Sequence, residues 1–77
     1  SYNAARDTAV AVVTRELTAD AVYPLRLKDL NPRRTYRVRF ETDTRTFTLT
    51  GAQLMTTGVN VSLPDLQSAE IVYVEPQ

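Results

Sequence analysis

The sequence predicts an all-β fold, a small antiparallel sandwich of two sheets with six or seven strands. Apolar and polar residues alternate with a period of two over most of the chain, which is typical of strands that bury one face. Short turn signals separate these stretches, and one short segment departs from the alternation. At 77 residues the chain is long enough for a single domain, spanning residues 1–77, whose core is barely sufficient.

The first two strands are predicted at residues 9–13 and 22–28. Residues 9–13 are apolar on both faces, so this strand is either central in its sheet or covered on its outer side. In residues 22–28, leucines alternate with basic residues. Pro24 has no N–H to donate to a ladder, which indicates a strand start, an edge or a bulge there.

The third and fourth strands form a hairpin. A turn is predicted at residues 31–34, where Pro32 fixes φ at the second position. Residues 35–40 then alternate strictly, and residues 46–49 alternate again after a short connection. The inward positions of this hairpin are predicted to be Tyr36, Val38, Phe40, Phe47 and Leu49.

Both glycines of the chain bracket the one non-alternating segment, residues 51–58. A glycine in such a place indicates positive φ or a close approach to another part of the backbone. The segment is predicted to hold one short helical turn, with Leu54 and Met55 filling the core. Strands at residues 59–63 and 71–74 follow, separated by a loop at 64–68, and residues 71–74 are again apolar on both faces.

Composition excludes several function classes. The chain has no cysteine and no histidine, which removes disulfides, thiolate chemistry, the usual general base and the commonest metal ligands. We therefore expect no cofactor and no metal. Nine basic and nine acidic residues cancel, which argues against a nucleic-acid partner or an anionic membrane. No apolar run approaches the ~20 residues that a membrane-spanning helix needs. The compartment stays open.

An outward row of basic residues is a candidate interaction surface. Arginine outnumbers lysine eight to one, and its planar fork suits buried ion pairs at interfaces. The alternative is a solvated strand face with weak cross-strand ion pairs to Glu16, Glu41 and Glu70. Arg37 and Arg39 are the candidate contact residues, in a row that comprises Arg26, Lys28, Arg37, Arg39 and Arg45.

The tyrosines are the second set of candidates. Tyr36 and Tyr73 fall on positions that the alternation assigns to the core, with the hydroxyl reaching the rim. Tyr2 and Tyr23 are less committed, and we expect any sugar contact to involve them. Sugar-binding platforms usually present several coplanar exposed aromatic rings, often tryptophan, and this chain has no tryptophan.

Three segments carry a resemblance to a known family. The chain resembles the C-terminal β-sandwich domain of family 36 glycoside hydrolases, which are α-galactosidase-like enzymes. The similarity covers residues 9–75, and its most specific part is the glycine-bracketed segment. The segments are Leu-x-x-Leu-Asn-Pro-x-x-x-Tyr-x-Val at 27–38, Thr-Gly-Ala-Gln-Leu-Met-x-x-Gly-Val-x-Val at 50–61, and Gln-Ser-Ala-Glu-Ile-Val-Tyr at 67–73.

The resemblance implies a non-catalytic accessory domain. In that family the nucleophile and the acid/base are two aspartates of a (β/α)8 barrel, so no residue of this chain inherits either role. The aspartates at 29, 43 and 65 lie in predicted turns, where aspartate commonly satisfies backbone amides. The implied partners are the catalytic barrel domain of the same polypeptide, on which the domain would pack, and other subunits of a homo-oligomer. An independent carbohydrate-binding module is the alternative.

Overall fold

The computed structural model of the chain describes residues 2–14, 22–42, 44–63 and 69–77. Glu16, Asp43, Asp65 and the predicted loop at 64–68 lie outside the described residues. In chain order the elements are β1 (Tyr2–Asn3), β2 (Thr8–Thr14), β3 (Val22–Leu25), β4 (Thr35–Phe40), β5 (Thr46–Thr50), α1 (Gly51–Met55), β6 (Val59–Ser62) and β7 (Ala69–Pro76).

The strands form two antiparallel sheets. One sheet has five strands in the order β1-β2-β7-β4-β5, and the other pairs β3 with β6. The predicted all-β, two-sheet architecture is confirmed. The two stretches that are apolar on both faces, residues 9–13 and 71–74, belong to β2 and β7, which pair with each other. Each also has a second neighbour in the sheet: β4 pairs with most of β7, and β1 pairs with β2 only at Thr8 and Ala9.

The core lies between the two sheets, where the inward residues of the alternating strands meet. Tyr36 and Val38 of β4 are fully buried, as are Val72 of β7 and Val61 of β6 to within 1%. The alternation in β4 and β6 therefore predicted the buried positions correctly. The buried apolar set is Ala9, Leu30, Tyr36, Val38, Phe40, Leu54, Val59, Val61, Leu63, Val72 and Val74.

The prediction that Tyr73 packs inside is wrong. Val72 and Val74 are the inward residues of β7, and Tyr73 lies on the outer face of the sheet, opposite Val10 and Arg39 of the neighbouring strands. Residues that pair directly across a sheet share a face. Residues 71–74 are all apolar, so they show no alternation of apolar and polar residues. The sequence therefore could not indicate which of them point inward.

β3 ends at Leu25, earlier than the predicted limit of residue 28. The N–H of Leu27 donates to the carbonyl of Leu54, in α1, at 3.0 Å, and Asp29 has φ 66°. The chain therefore leaves the ladder to contact α1. Leu27 still packs against the core, as the alternation indicated. Asp29 lies in a bend, which agrees with its predicted turn position.

Phe47 is less buried than predicted. It pairs with Val38, so it lies on the inward face, but it is 37% exposed because β5 is the edge strand of its sheet. Its ring packs edge-on against Phe40, with the ring centroids 5.8 Å apart. The alternation predicted the face of Phe47 correctly but not the lack of cover at the sheet edge.

The glycine-bracketed segment is a helical turn, as predicted. Thr50 caps α1: its hydroxyl accepts from the N–H of Gln53, whose side chain accepts in return from the N–H of Thr50. A Cβ at Gly51 would overlap the carbonyl oxygen of Asn31, and Gly58 has φ +77°. The two glycines thus meet the two needs one each, close approach at the first and positive φ at the second.

Leu54 is fully buried at the centre of the core, and Met55 packs partly buried beside it. The turn at residues 31–34 also forms as predicted. The N–H of Arg34 donates to the carbonyl of Asn31 at 3.2 Å. Two carbonyls of this turn, those of Pro32 and Arg34, accept hydrogen bonds from the first N–H groups of α1.

Candidate functional site

The outer face of the five-stranded sheet carries a group of apolar side chains, here called the outer apolar face: Val10, Val12, Ile71 and Tyr73. Val10 pairs with Tyr73 and Val12 with Ile71, so the four lie together on adjacent strands. Val12 is 64% exposed and Val10 is 39% exposed, and the other two are half-buried. Contiguous exposed apolar residues, unlike scattered ones, indicate a surface that another molecule covers.

Charged residues border this face on β4 and β7. Arg39 lies over the ring of Tyr73, with its guanidinium carbon 4.8 Å from the ring centroid, and its Nε donates to Glu75 Oε1 at 2.7 Å. Arg37 is exposed on the same face and pairs with Glu75 in the ladder. A hydrogen bond to Glu41 raises the pKa of the Tyr73 hydroxyl, and burial raises it further. The two candidate arginines therefore lie at the rim of the outer apolar face.

The predicted basic row does not form one continuous surface. Arg26 follows β3 and its Nε donates to the carbonyl of Thr56 at 2.7 Å, away from the outer apolar face. Arg45 lies over the ring of Phe47, at 5.7 Å from its centroid. Lys28 is exposed in the stretch after β3. Only Arg37 and Arg39 share the outer face of β4.

The predicted ion-pair partner Glu70 points inward instead of outward. It is only 6% exposed, and its carboxylate accepts from the N–H and hydroxyl of Thr42, at 3.1 and 2.5 Å, and from the N–H of Ile71 at 3.1 Å. These donors satisfy the hydrogen-bonding needs of the buried carboxylate. Glu70 therefore anchors the segment that follows β4 to β7, and it also borders a polar cavity of about 250 Å³ with Arg45.

A polar cluster that the sequence analysis missed surrounds Asp7, in the turn between β1 and β2. Its carboxylate accepts hydrogen bonds from the hydroxyls of Tyr2 and Tyr36, and it forms an ion pair with Arg34 at 3.3 Å. The Tyr2 hydroxyl is 2.6 Å away. Asp7 has φ 54°, a region that aspartate enters more readily than most residues. That local preference is the only signal in the sequence, because its partners lie up to 29 residues away.

The cluster shifts the titration of its members. The hydrogen bond from Tyr2, then that from Tyr36 and the charge of Arg34, lower the pKa of Asp7. The hydrogen bond to Asp7 raises the pKa of Tyr2 to about 12. Burial, and then the same carboxylate, raise the pKa of Tyr36. The arrangement favours an ionised Asp7 and two protonated tyrosines. The hydrogen bonds between them link the β1–β2 turn to β1 and β4.

The two candidate sugar-contact tyrosines lie on different sheets. Tyr2 is exposed on β1 of the five-stranded sheet, and Tyr23 is half-buried on β3 of the two-stranded sheet. The hydroxyl of Tyr23 is buried and has no hydrogen-bond partner among the described residues. The two rings do not form a shared platform, and a sugar contact of either residue alone stays a prediction.

The described ranges contain no group of three histidine, cysteine, aspartate or glutamate side chains that is placed to hold a metal ion. Over the same residues, no helix is long and apolar enough to cross a membrane. The geometry presents a covered core, a stabilising polar cluster and an apolar outer face with a charged rim. Its chemistry suits packing against another protein surface.

Comparison with known proteins identifies the family. Residues 2–73 match the model of the glycosyl hydrolase family 36 C-terminal domain. Searches of curated proteins and of solved structures gave no match. The family model spans nearly the whole chain, and the two-sheet fold agrees with the β-sandwich that the resemblance implied. The chain belongs to glycosyl hydrolase family 36, as its C-terminal domain.

Proposed function

We propose that residues 1–77 act as one non-catalytic accessory domain, which packs on the catalytic domain of the same polypeptide through the outer apolar face. A C-terminal domain of this family implies a catalytic domain in the same chain. The observation that carries the proposal is the pairing of Val12, the most exposed large apolar residue described, with Ile71 on the adjacent strand.

Covering this face is energetically worthwhile. Full burial of an exposed valine or isoleucine side chain is worth about 1.5–3 kcal/mol. Burial of several such residues therefore offsets part of the entropy that is lost when the two domains dock. In the exposed state the same side chains remain in water. The gain in free energy therefore depends on a partner surface that is itself apolar. In this proposal the catalytic domain provides that surface.

Arg37 and Arg39 form the rim of the proposed contact. Interfaces between domains commonly have an apolar centre and a polar, solvent-accessible border. Arginine suits this place because its planar guanidinium stacks on rings and pairs with carboxylates, and Arg39 makes both contacts here. We propose that the rim arginines fix the orientation of the domain and that the apolar centre supplies most of the binding energy.

Catalysis belongs, in this proposal, to the barrel of the parent enzyme, which hydrolyses the O-glycosyl bonds of α-galactosides. A glycosidase needs two carboxylates roughly 5–10 Å apart across a sugar pocket. Here the carboxylates of Asp7 and Glu70 are each occupied by structural hydrogen bonds. The domain therefore affects turnover through the stability of the parent, or through assembly of its subunits.

The experiment compares two aspartate substitutions in the parent enzyme. Val12→Asp places a charge at the centre of the outer apolar face, and Asn60→Asp places the same charge on an exposed residue of β6, in the other sheet. We expect Val12→Asp to lower the melting temperature of the parent enzyme by several degrees and to shorten the time for which it stays active on an aryl α-galactoside, with both quantities unchanged by Asn60→Asp. Equal behaviour of the two variants contradicts the docking. Loss of oligomeric state alone assigns the face to subunit contacts.

A further inference from the structure

The ladder between β1 and β2 is much shorter than β2 itself. β2 has seven residues, but β1 pairs only with Thr8 and Ala9. On its other side, β2 pairs with β7 from Ala9 to Thr14. Among the residues that the structure describes, nothing pairs with residues 11–14 on the β1 side. A flat apolar strand edge of this kind is a template for another strand, and native proteins rarely leave one open.

We infer that the polypeptide immediately upstream of Ser1 in the parent enzyme continues β1 as an antiparallel strand along residues 11–14 of β2. The inference rests on the proposed position of the domain after the catalytic domain of its chain. The register is already set, because Tyr2 pairs with Ala9 and Asn3 with Thr8. Extending that register places the first residue before Ser1 opposite Ala11 and the second opposite Val12.

Continuity favours this occupant over a separate segment. A strand that simply continues β1 closes no new loop, whereas a strand from elsewhere must meet the entropy of closing one or of binding. Every second added residue forms ladder hydrogen bonds to an edge whose other side is already fixed by β7. The upstream segment therefore reaches the edge at the lowest entropic cost.

The shape of the adjoining groove specifies the residue opposite Ala11. A groove of about 450 Å³ lies between β2 and residues 25–29, and mainly apolar atoms line it. Ala9 and Ala11 contribute only methyl groups on one side, and Leu25 and Leu27 lie on the other. Ala11 faces inward, because it pairs with the fully buried Val72. The residue before Ser1 therefore points into the groove, and we predict an apolar side chain larger than alanine there.

The residue two places before Ser1 has the opposite orientation. It pairs with Val12, so it lies on the outer face of the sheet, beside the outer apolar face. The strand thereby connects the catalytic domain directly to the surface on which it is proposed to pack. Strand pairing and docking are separate contacts, and each can be tested without the other.

The test uses engineered cysteine pairs in the full-length parent enzyme, with other cysteines replaced; residues 1–77 contain none. One variant pairs a cysteine at the first residue before Ser1 with Ala11→Cys, and another pairs a cysteine at the second residue with Val12→Cys. Adjacent antiparallel pairs alternate between wide and narrow, so one of the two variants has the spacing that a disulfide prefers. The shifted control combines the first-residue cysteine with Val13→Cys.

We expect mild oxidation to cross-link at least one in-register variant at least tenfold more than the shifted control, with the product identified by mass spectrometry. No cross-link in either in-register variant, or an equal yield in the control, overturns the inference. Disulfide-linked dimers of the single variant Ala11→Cys also overturn it, because they assign the edge to a second copy. If an in-register variant forms the cross-link and Val12→Asp leaves the melting temperature of the parent enzyme unchanged, only the docking proposal is refuted.

Discussion

The hydroxyl of Tyr36 joins two parts of the chain that are far apart in sequence: it donates to the carboxylate of Asp7 and accepts from the N–H of Asn31 at 3.0 Å. Asp7 lies in the turn before β2, and Asn31 begins the turn before β4. The ring of Tyr36 is fully buried in the core. One side chain therefore connects the N-terminal hairpin, the 31–34 turn and the sandwich interior.

Removing this hydroxyl should destabilise the chain. Tyr36→Phe leaves the N–H of Asn31 without its partner and takes one donor from Asp7, which we expect to lower the free energy of unfolding by about 1–3 kcal/mol. Tyr23→Phe is the matched control, because within the part of the chain that the structure describes the buried hydroxyl of Tyr23 has no hydrogen-bond partner. Its loss should be neutral or stabilising. Urea unfolding followed by circular dichroism measures both, and equal effects would show that the Asp7 link contributes nothing.

Stability should depend on pH through Asp7. The folded state lowers the pKa of Asp7 below its ordinary value of 3.8, so the stabilisation is present above that value and is lost as the pH falls through the folded pKa. Asp7→Asn keeps a residue that tolerates positive φ and removes the charge. We expect the variant to be less stable at pH 6 and to approach the parent chain below pH 3. A constant difference over this range would contradict the assignment.

The tyrosines of the same cluster predict a loss of stability in alkali. Folding raises the pKa of Tyr2 from 10.0 to about 12, because its hydroxyl donates to the Asp7 carboxylate, and it raises the pKa of Tyr36 through burial and then through the same carboxylate. The contribution of a group with a raised pKa is complete below the unfolded value and is lost as the pH rises through the folded value. Unfolding free energy should therefore fall above pH 10. Tyr2→Phe should reduce that alkaline slope, which denaturation at pH 8 to 11.5 measures.

The first glycine of the corner should not accept a side chain. Gly51→Ala places a Cβ against the carbonyl group of Asn31 and the Cα of Pro32, which are backbone atoms and cannot rotate away as a flexible side chain could. Overpacking of this kind costs about 1–3 kcal/mol. Ala52→Ser, at the next and exposed position of α1, is the control and should change stability by less than ~1 kcal/mol. Thermal unfolding compares the two variants. A Gly51→Ala variant as stable as the unchanged chain would contradict the prediction, because it would show that the backbone of residues 31–34 can move to make room for the Cβ.

Glu70 should be needed as a hydrogen-bond acceptor. Glu70→Ala leaves the N–H of Thr42 and the N–H of Ile71 without their side-chain acceptor in a largely buried site, so we expect a loss of about 1–3 kcal/mol. Glu75→Ala removes an exposed carboxylate from the same strand, where the ion pair with Arg39 contributes ~1 kcal/mol or less. Urea titration of the two variants ranks them. A larger loss of stability in Glu75→Ala than in Glu70→Ala would contradict the anchoring role assigned to Glu70.

Local patterns predicted much of the fold. The alternation in residues 35–40 and 59–63 identified the buried positions, because one face of each strand meets the core and the other meets solvent. The two glycines marked the corner because only glycine has no Cβ to clash there. The apolar residues of β2 predicted a strand that is either central or covered on its outer side. β2 lies between β1 and β7 in its sheet, and a cover over its outer face stays a prediction.

Contacts between distant residues decided the rest. β3 ends early because Leu27 bonds to α1, a contact that residues 22–28 do not encode locally. The phase of β7 follows from its pairing with two neighbours, since its own residues are apolar on both faces. Asp7 acquires its role from Tyr36, 29 residues away. Sequence periodicity cannot register such contacts.

The most direct test of the docking proposal measures whether the catalytic domain covers Val12. Val12→Cys and Asn60→Cys are introduced separately into the full-length parent enzyme, and the rate of labelling by a water-soluble maleimide is measured under native conditions. Both positions are exposed in the structure of these 77 residues, and Asn60 lies on β6 of the other sheet. The proposal predicts that Val12→Cys reacts at least tenfold more slowly than Asn60→Cys and that the difference disappears in denaturant. Equal native rates would contradict it.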